Sequence, residues 1–367
     1  MNYIGCDCHI STLDCAVVNE RDQETKKQKM NTGVKGLMAF VKSIPKPRKI
    51  IIEEGTLASW LLEVCTAYGE DLIITDPKTN RWIGRAGQKN DDIDASKLAQ
   101  LARGGYIKEI HHPSGHRRRF RELVLLYHDT VKRQTRIKNK LKAKFRQNGI
   151  KCSGETVYSV KFRNEWKKKL PPDKVVQVMV EGLWRQLDQV HEVQEELLGH
   201  IRKQSRQYSE IKRFKQIPGI GPVHAATISA IVEDPHRFAN KKKLWMYAGL
   251  GLAEKASGEK VYSRSLTRNY NRLLKNALKQ ATEAAVIARD NQFRRQYLRL
   301  TIEKGILSHR AKLTVARSIL AALYGIWKSG ENYDANIDKK RVESDKTQVR
   351  AYQVNCIIFG KCQSLDC

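Results

Sequence analysis

Three carboxylates fall within four positions at Asp91-Asp92-Ile93-Asp94, directly after Lys89-Asn90 and just ahead of the apolar run Leu98-Ala99-Leu101-Ala102. That spacing predicts a helix beginning near Asp92. Residues three apart share a helix face, so Asp91 and Asp94 project side by side while Asp92 turns elsewhere. One reading is that these acids cap the helix and complement its dipole. The other is that they hold a cation, and it gains weight from two more isolated acids upstream, Asp7 and Glu54, each near the end of a strand-like segment.

Those segments define a fold. Tyr3–His9 and Thr12–Val18 read as strands, with a weaker third near Lys27–Asn31. Val34-Leu37-Met38-Phe40-Val41 has helical spacing, Lys49–Glu54 is a buried-strand run, Leu57–Tyr68 is helical, and Leu72-Ile73-Ile74 is a strand ended by Asp76-Pro77. The order β-β-β-α-β-α-β-α is that of an α/β ribonuclease H-like (RuvC-like) domain. In that arrangement Asp7 sits on the first strand, Glu54 at the carboxyl end of the fourth, and Asp91 and Asp94 on a late helix. Four converging carboxylates repel one another unless divalent cations neutralise them. Two Mg2+ ions about 3.5–4 Å apart, or Mn2+ in their place, could clamp the attacking and leaving oxygens of a phosphoryl transfer.

Charge separates this module from the rest of the chain. The 367 residues carry a formal net charge of +29, yet residues 1–100 hold 14 Lys+Arg against 14 Asp+Glu. Residues 101–170 hold 20 basic and 5 acidic side chains, and residues 171–367 hold 34 and 20. An excess of this size calls for a polyanionic partner. No apolar run is long enough to cross a bilayer and the start shows no secretory pattern, so nucleic acid is expected rather than a membrane. The eight cysteines have neither zinc spacing nor a disulfide framework. Reduced thiols and a cytoplasmic, nucleoid-associated location are expected, with Cys6 and Cys8 packing rather than ligating.

Arg117, Arg118, Arg119 and Arg121 lead into a helix carrying Lys132, Arg133, Arg136, Lys140 and Lys144 with few compensating acids. A charge run is often only a solvated face; here phosphate contact is the expectation. After Pro171-Pro172, Leu183, Leu187, Val190, Gln194, Leu197, Ile201, Gln204, Tyr208 and Ile211 alternate steps of four and three. This is a heptad seam in a second long helix, serving either an antiparallel helical hairpin or a coiled coil between protomers. Ile217-Pro218-Gly219-Ile220-Gly221-Pro222 then precedes a helix. Its glycines suit a helix-hairpin-helix-like phosphate site at Gly219 and Gly221, or a plain interhelix turn. The remainder reads as helical, with Ser257-Gly258 in a connecting loop; from spacing alone Ser257 is ordinary loop chemistry.

Taken in series, these motifs resemble the bacterial insertion-sequence transposases of the "IS one-ten" family. Tyr3-Ile4-Gly5-Cys6-Asp7 is similar to the family's opening strand, Glu54-Gly55-Thr56 to its E-x-T element, and Lys89–Ala95 to its K-x-D-x-x-D-A element. Ile217–Pro222, Arg237-Phe238, Ala248-Gly249-Leu250, Ser257-Gly258, Trp327–Gly330 and Tyr333-Asp334 resemble its C-terminal part. The family's E-x-T-G reads here as Glu54-Gly55-Thr56-Leu57, with Glu53 a second acid at the same place. A family glycine is replaced in Asn269-Tyr270-Asn271.

The resemblance implies a DEDD set of Asp7, Glu54, Asp91 and Asp94 holding Mg2+, and Ser257 as nucleophile. It further implies recombination of donor and target DNA through a phosphoserine intermediate, guidance by a structured bridge RNA, and a homo-oligomer, dimer or tetramer. The implied organisation is a DEDD domain at 1–110, a basic helical or coiled-coil region at 111–212, a mainly α-helical C-terminal transposase domain at 213–335 and a tail at 336–367. The rival expectation is a metal-dependent nuclease or Holliday-junction resolvase of the same N-terminal fold, in which water attacks.

Overall fold

The computed structural model describes residues 1–77, 91–113, 115–257 and 260–334, without the side chains of 91–93, 253–257 and 260–264. The chain divides into two compact units, Met1–Arg119 and Phe120–Cys367.

In the first unit, strands β1 (Asn2–Cys8), β2 (Thr12–Val18), β3 (Glu24–Asn31), β4 (Arg48–Glu53) and β5 (Leu72–Thr75) form one sheet in the order β3-β2-β1-β4-β5. β1 runs antiparallel to β2 and β2 to β3, whereas β1, β4 and β5 are parallel. Helices α1 (Val34–Lys42) and α2 (Ala58–Ala67) are interleaved as the hydrophobic pattern requires. Among the described residues of this unit, the order of elements is the one read from the sequence. The third strand extends further, starting at Glu24, because it pairs with β2 from Thr12 to Val18, with a register shift between Val17 and Val18.

Alternation along the strands sorts two faces. Ile4, Cys6, Leu13, Cys15, Ile50 and Ile52 join Leu37 and Val41 of α1 and Leu61 and Cys65 of α2 in one core. The hydrogen bond from Cys15 and then burial push the Cys6 thiol well above the ordinary range, and burial does the same for Cys8. They are packing groups. On the opposite face Ile51 packs with Leu98 and Ala102 of α3 (Asp91–Arg103), flanked by Tyr3 and Ile107. Gly5 permits this layer: a Cβ there would lie 2.1 Å from the Ala95 carbonyl oxygen and 2.7 Å from the Ala99 nitrogen. Thus α3 rests backbone-on-backbone against β1.

In the second unit, the first part of α4 (Gly115–Gln147) contributes Phe120, Val124 and Tyr127 to a large core with Leu198 and Ile201 from the end of α6 (Lys174–Gln204). The far end of α4 gives Leu141 and Phe145 to a smaller core with Val180 and Trp184 from the start of α6, capped by Cys152, Val157, Trp166 and Leu170. Trp166 belongs to the short α5 (Arg163–Lys168).

The seam read through Ile211 stops earlier as helix. α6 ends at Gln204, a 3-10 turn comes next at Ser205–Gln207, and α7 (Ser209–Phe214) begins afresh. Tyr208 is extended and its ring lies 4.6 Å from that of Phe120, so the break serves packing that a continuing helix would not make.

The large core is completed by α8 (Pro222–Val232), α9 (Lys241–Tyr247), α10 (Arg272–Ile287), α11 (Gln292–Leu298) and α12 (Ser308–Ser329). The stretch read as a loop around Ser257 is a β-hairpin, β6 (Leu252–Ser257) and β7 (Lys260–Leu266).

Overpacking a filled contact typically costs 1–3 kcal/mol and occasionally more. Gly5→Val, which drives side-chain atoms into the α3 backbone, is expected to destabilise the first unit by at least about 3 kcal/mol. Chemical denaturation checks it, with Gly69→Ala, at an open turn with φ +69, as the comparison for a simple loss of glycine freedom.

His128 supplies a second test. Thr227 Oγ1 donates to the Val223 carbonyl at 2.7 Å and so accepts from His128 Nε2 at 2.8 Å. Burial, then Lys132 and His224, push His128 down to about 4. Its neutral form is the folded form, so the unfolded chain binds the extra proton first. Stability falls as pH drops from about 6.5 towards 4, and His128→Gln is expected to flatten that part of the stability–pH curve.

Candidate active site and nucleic-acid interface

β1 delivers Asp7 to the face that carries Gly5 and α3, since Ile4 and Cys6 are spent on the other. α3 crosses β1 in the reverse direction. Arg103 pairs with Asp22 at 3.0 Å near the β2–β3 turn, while Ala95 lies over Gly5. The Asp94 end of the helix therefore reaches the Asp7 end of the strand, and Asp94 is solvent-exposed there. Asp91 opens the same helix; its side chain lies outside the described residues.

β4 runs parallel beside β1, with Cys6 opposite Ile52, so the next residues of both strands emerge at the same end of the sheet. Glu53 is the last residue of β4. By alternation from Ile51 it takes the α3 face, the face of Asp7. Glu54 is the first residue past the strand. Its N–H donates to the Thr75 carbonyl at 3.0 Å and its carboxylate pairs with His112. Both acids thus stand at the right end of the sheet, Glu53 through the strand's alternation and Glu54 through its imidazole partner.

Sequence reasoning missed three neighbours. His112 reaches Glu54 because residues 108–110 continue the edge of β5, with Ile110 N–H donating to Ile74 at 2.8 Å and a bridge between Thr75 and Glu109. His9 Nε2 lies 3.2 Å from Asp7 Oδ2. Asp14 stands directly opposite Asp7 across the β1–β2 pair and is 2% exposed, with Lys29 Nζ 3.2 Å from its Oδ2. A buried carboxylate beside another is costly unless a cation offsets it, and Lys29, opposite Asp14 on β3, is that cation. Only an aspartate on an alternating strand marks Asp14 in the sequence; nothing local distinguishes either histidine.

Among the described residues no group of three or more His, Cys, Asp or Glu side chains is already gathered around one point as a metal ligand set. The carboxylates that share this end of the sheet, Asp7, Glu53, Glu54 and Asp94, are oxygen donors of the kind that fit a hard divalent cation.

In the second unit, Ser257 ends β6 and pairs with Lys260, which places it at the hairpin turn; its side chain lies outside the described residues. The root of that hairpin is fixed from several sides. The Leu250 and Gly251 N–H groups both donate to the Trp245 carbonyl, Thr267 N–H donates to that of Gly251, and Arg317 Nε donates to that of Leu250 at 2.7 Å. Gly249 has φ +69 and lies under the Tyr270 ring.

The two glycines ahead of α8 differ. Gly219 (φ +88) touches α10, where a Cβ would meet the Ala281 carbonyl oxygen at 2.1 Å, so packing alone requires it. Gly221 is the extended N-cap of α8 with open space around it.

The basic residues also divide. Arg118 pairs with Glu63, Arg121 with Glu233, and Arg133 with Asp129. Lys132, Arg136 and Lys140 are exposed and Lys144 half-buried, with no acidic partner among the described residues, whereas exposed Arg119 acts electrostatically on Glu63.

Comparison with known proteins sharpens this. A family model described as "Transposase IS116/IS110/IS902 family" matches residues 211–298, and a second, described as "Transposase" and of the DEDD type of IS110, matches residues 4–148. The chain belongs to the IS110 transposase family. A curated relative, "Insertion element IS110 uncharacterized 43.6 kDa protein" of Streptomyces coelicolor, is 26% identical over 168 residues, or 46% of this chain. The match spans 41% of that protein's length.

Among solved structures, "T. thermophilus RuvC in complex with Holliday junction substrate" aligns with 30% of this chain and 99% of its own, at 15% identity and a TM-score of 0.25, too low a score to argue from. The two IS110 matches fall on the acid-bearing sheet with α4 and on the segment from α7 through the serine hairpin. No helix among the described residues is long and apolar enough to cross a membrane.

Glu233 is almost fully buried, sits at φ +64 just past the end of α8, and has Arg121 beside it. Removing one partner of a buried pair leaves the other charge uncompensated, at about 3–5 kcal/mol. Arg121 is partly solvated, which lowers the figure. Arg121→Ala is expected to cost about 2–3 kcal/mol in denaturation experiments, against less than about 0.5 kcal/mol for Lys132→Ala.

Proposed function

We propose that this chain is the transposase of its element, cutting and rejoining DNA strands through a covalent phosphoserine formed by Ser257. The observation that carries this reading is the position of Ser257 at the turn of a hairpin whose root is held by four hydrogen bonds to backbone carbonyls. A nucleophile at the turn of a hairpin braced in this way is held in position for attack on a polymeric phosphodiester. The Ser257 Oγ–P bond forms as the P–O bond to a deoxyribose breaks. The serine proton passes to solvent or a nearby base, and the departing sugar oxygen takes one up. A sugar hydroxyl of the exchanged strand later displaces Ser257 in the reverse sense, so bond energy is conserved.

Asp7, Glu54, Asp91 and Asp94 are assigned to hold the divalent cation, with Glu53 on the face that could substitute for Glu54. Mg2+ or Mn2+ held there would supply positive charge to offset that developing on the phosphodiester oxygens. His112 orients Glu54, as hydrogen-bonded partners commonly orient ligating carboxylates. Composite sites, in which one protomer's acids serve another protomer's Ser257, make a homo-oligomer, dimer or tetramer, part of the proposal.

A structured RNA of the element selects donor and target DNA by base pairing. The cations Lys132, Arg136, Lys140 and Lys144 on α4, which have no acidic partner among the described residues, are the side chains offered to its backbone or to DNA. The open N-terminus of α8 at Gly221 is a further phosphate contact.

The test is trapping. Incubation with a DNA substrate bearing the element's end, followed by denaturation, is expected to leave protein–DNA adducts that disappear in Ser257→Ala. Normal strand cutting by Ser257→Ala, without adducts in the wild type, assigns the chemistry to a water-using nuclease or junction resolvase instead.

A further inference from the structure

Arg317 lies midway along α12, outside both segments matched by the IS110 models. Its Nε donates to the Leu250 carbonyl at 2.7 Å, and its own carbonyl accepts from Trp245 Nε1 at 3.2 Å. No carboxylate among the described residues pairs with it, so the four N–H donors on its two Nη atoms have no partner there. Burial pushes the guanidinium below its usual range with no acid to offset it. A partly desolvated cation of this kind costs free energy unless an anion arrives.

A second cation stands near the same turn. Lys275 of α10 holds its Nζ 4.2 Å from the centre of the Tyr270 ring, and that ring lies so close to Gly249 that a Cβ would be 2.5 Å from its Cγ. Lys275 likewise has no acidic partner among the described residues. The turn Gly249-Leu250-Gly251 therefore holds a guanidinium fork through the Leu250 carbonyl, and an ammonium stands over the Tyr270 ring that lies against Gly249. A guanidinium fixed by Nε with both Nη atoms available matches the bidentate geometry of a phosphate.

We propose that Arg317 and Lys275 form a seat for the phosphodiester backbone of the DNA strand being cut, at the root of the serine hairpin. β6 spans five steps from Leu252 to Ser257, about 17 Å at roughly 3.3–3.4 Å each. That corresponds to about five nucleotides at 3.4 Å of helix axis per strand. The seat grips the strand that many nucleotides away from the phosphate Ser257 attacks, and fixes the direction in which that strand crosses the hairpin. This rests on the reading that Ser257 addresses DNA.

The experiment uses the full-length protein and a fluorescein-labelled duplex of the element's end, titrated by anisotropy from about 50 to 200 mM salt. Arg317→Gln and Lys275→Gln are each expected to make the plot of log affinity against log salt shallower by about 0.9. Raising salt fourfold then costs each variant about 3.5-fold less affinity than it costs the wild type. Arg317→Lys, which keeps the charge but not the fork, is expected to keep the slope and bind more weakly.

Arg317→Gln also loses the Leu250 hydrogen bond; if thermal melting shows it unfolded, Lys275→Gln, which gives up no backbone contact, decides. A wild-type slope in folded Lys275→Gln overturns the proposal. So does a change of slope confined to a labelled RNA hairpin with DNA binding unaltered. Adduct trapping on the same preparations separates the two claims: shallower slopes without any wild-type adduct refute the phosphoserine reading and leave the seat intact.

Discussion

A missing side chain governs the N-terminal unit. Gly5 lets the backbone of α3 settle on β1, and the reverse crossing then carries the start of α3 to the end of the sheet where Asp7 and β4's terminal acids emerge. Any Cβ at that position would lift the helix and with it Asp94. Most of the burial on this face, from Ile51, Leu98 and Ala102, stems from the same contact.

Charge is managed differently at the two candidate sites. At the sheet end, acids are gathered and partly answered from within, Asp7 by His9, Glu54 by His112 and Asp14 by Lys29. At the hairpin root, Arg317 and Lys275 have no acidic partner among the described residues; Arg317 donates to the turn's Leu250 carbonyl and Lys275 stands over the Tyr270 ring. In the proposed function, one site would take a divalent cation and the other a phosphate, the two charged components of a phosphoryl transfer to DNA. Several arginines that look equivalent in the sequence are structural, Arg121 above all, because buried Glu233 requires it.

The sheet was legible because its strands are apolar, alternating and short, and because period two fixes which side chains share a face. Helix spacing located α3 and made Asp94 a candidate. The heptad count overran at Gln204, since Tyr208 and Ile211 continue the apolar pattern while their backbone turns to pack on Phe120. The hairpin around Ser257 was read as a loop because its charged and small residues carry no apolar alternation. His112, Asp14 and Arg317 depend on contacts between residues 58, 7 and 67 positions apart in sequence, which no local pattern encodes.

The central claim is that acids from β1, the end of β4 and α3 serve one cation. Calorimetric titration of Mn2+ into the wild type and into Asp7→Asn and Asp94→Asn tests it directly. Loss or severe weakening of the same binding event in both folded variants is the predicted result. Wild-type Mn2+ affinity in folded Asp94→Asn, alongside loss in Asp7→Asn, would show that α3 does not share the site and would contradict the account.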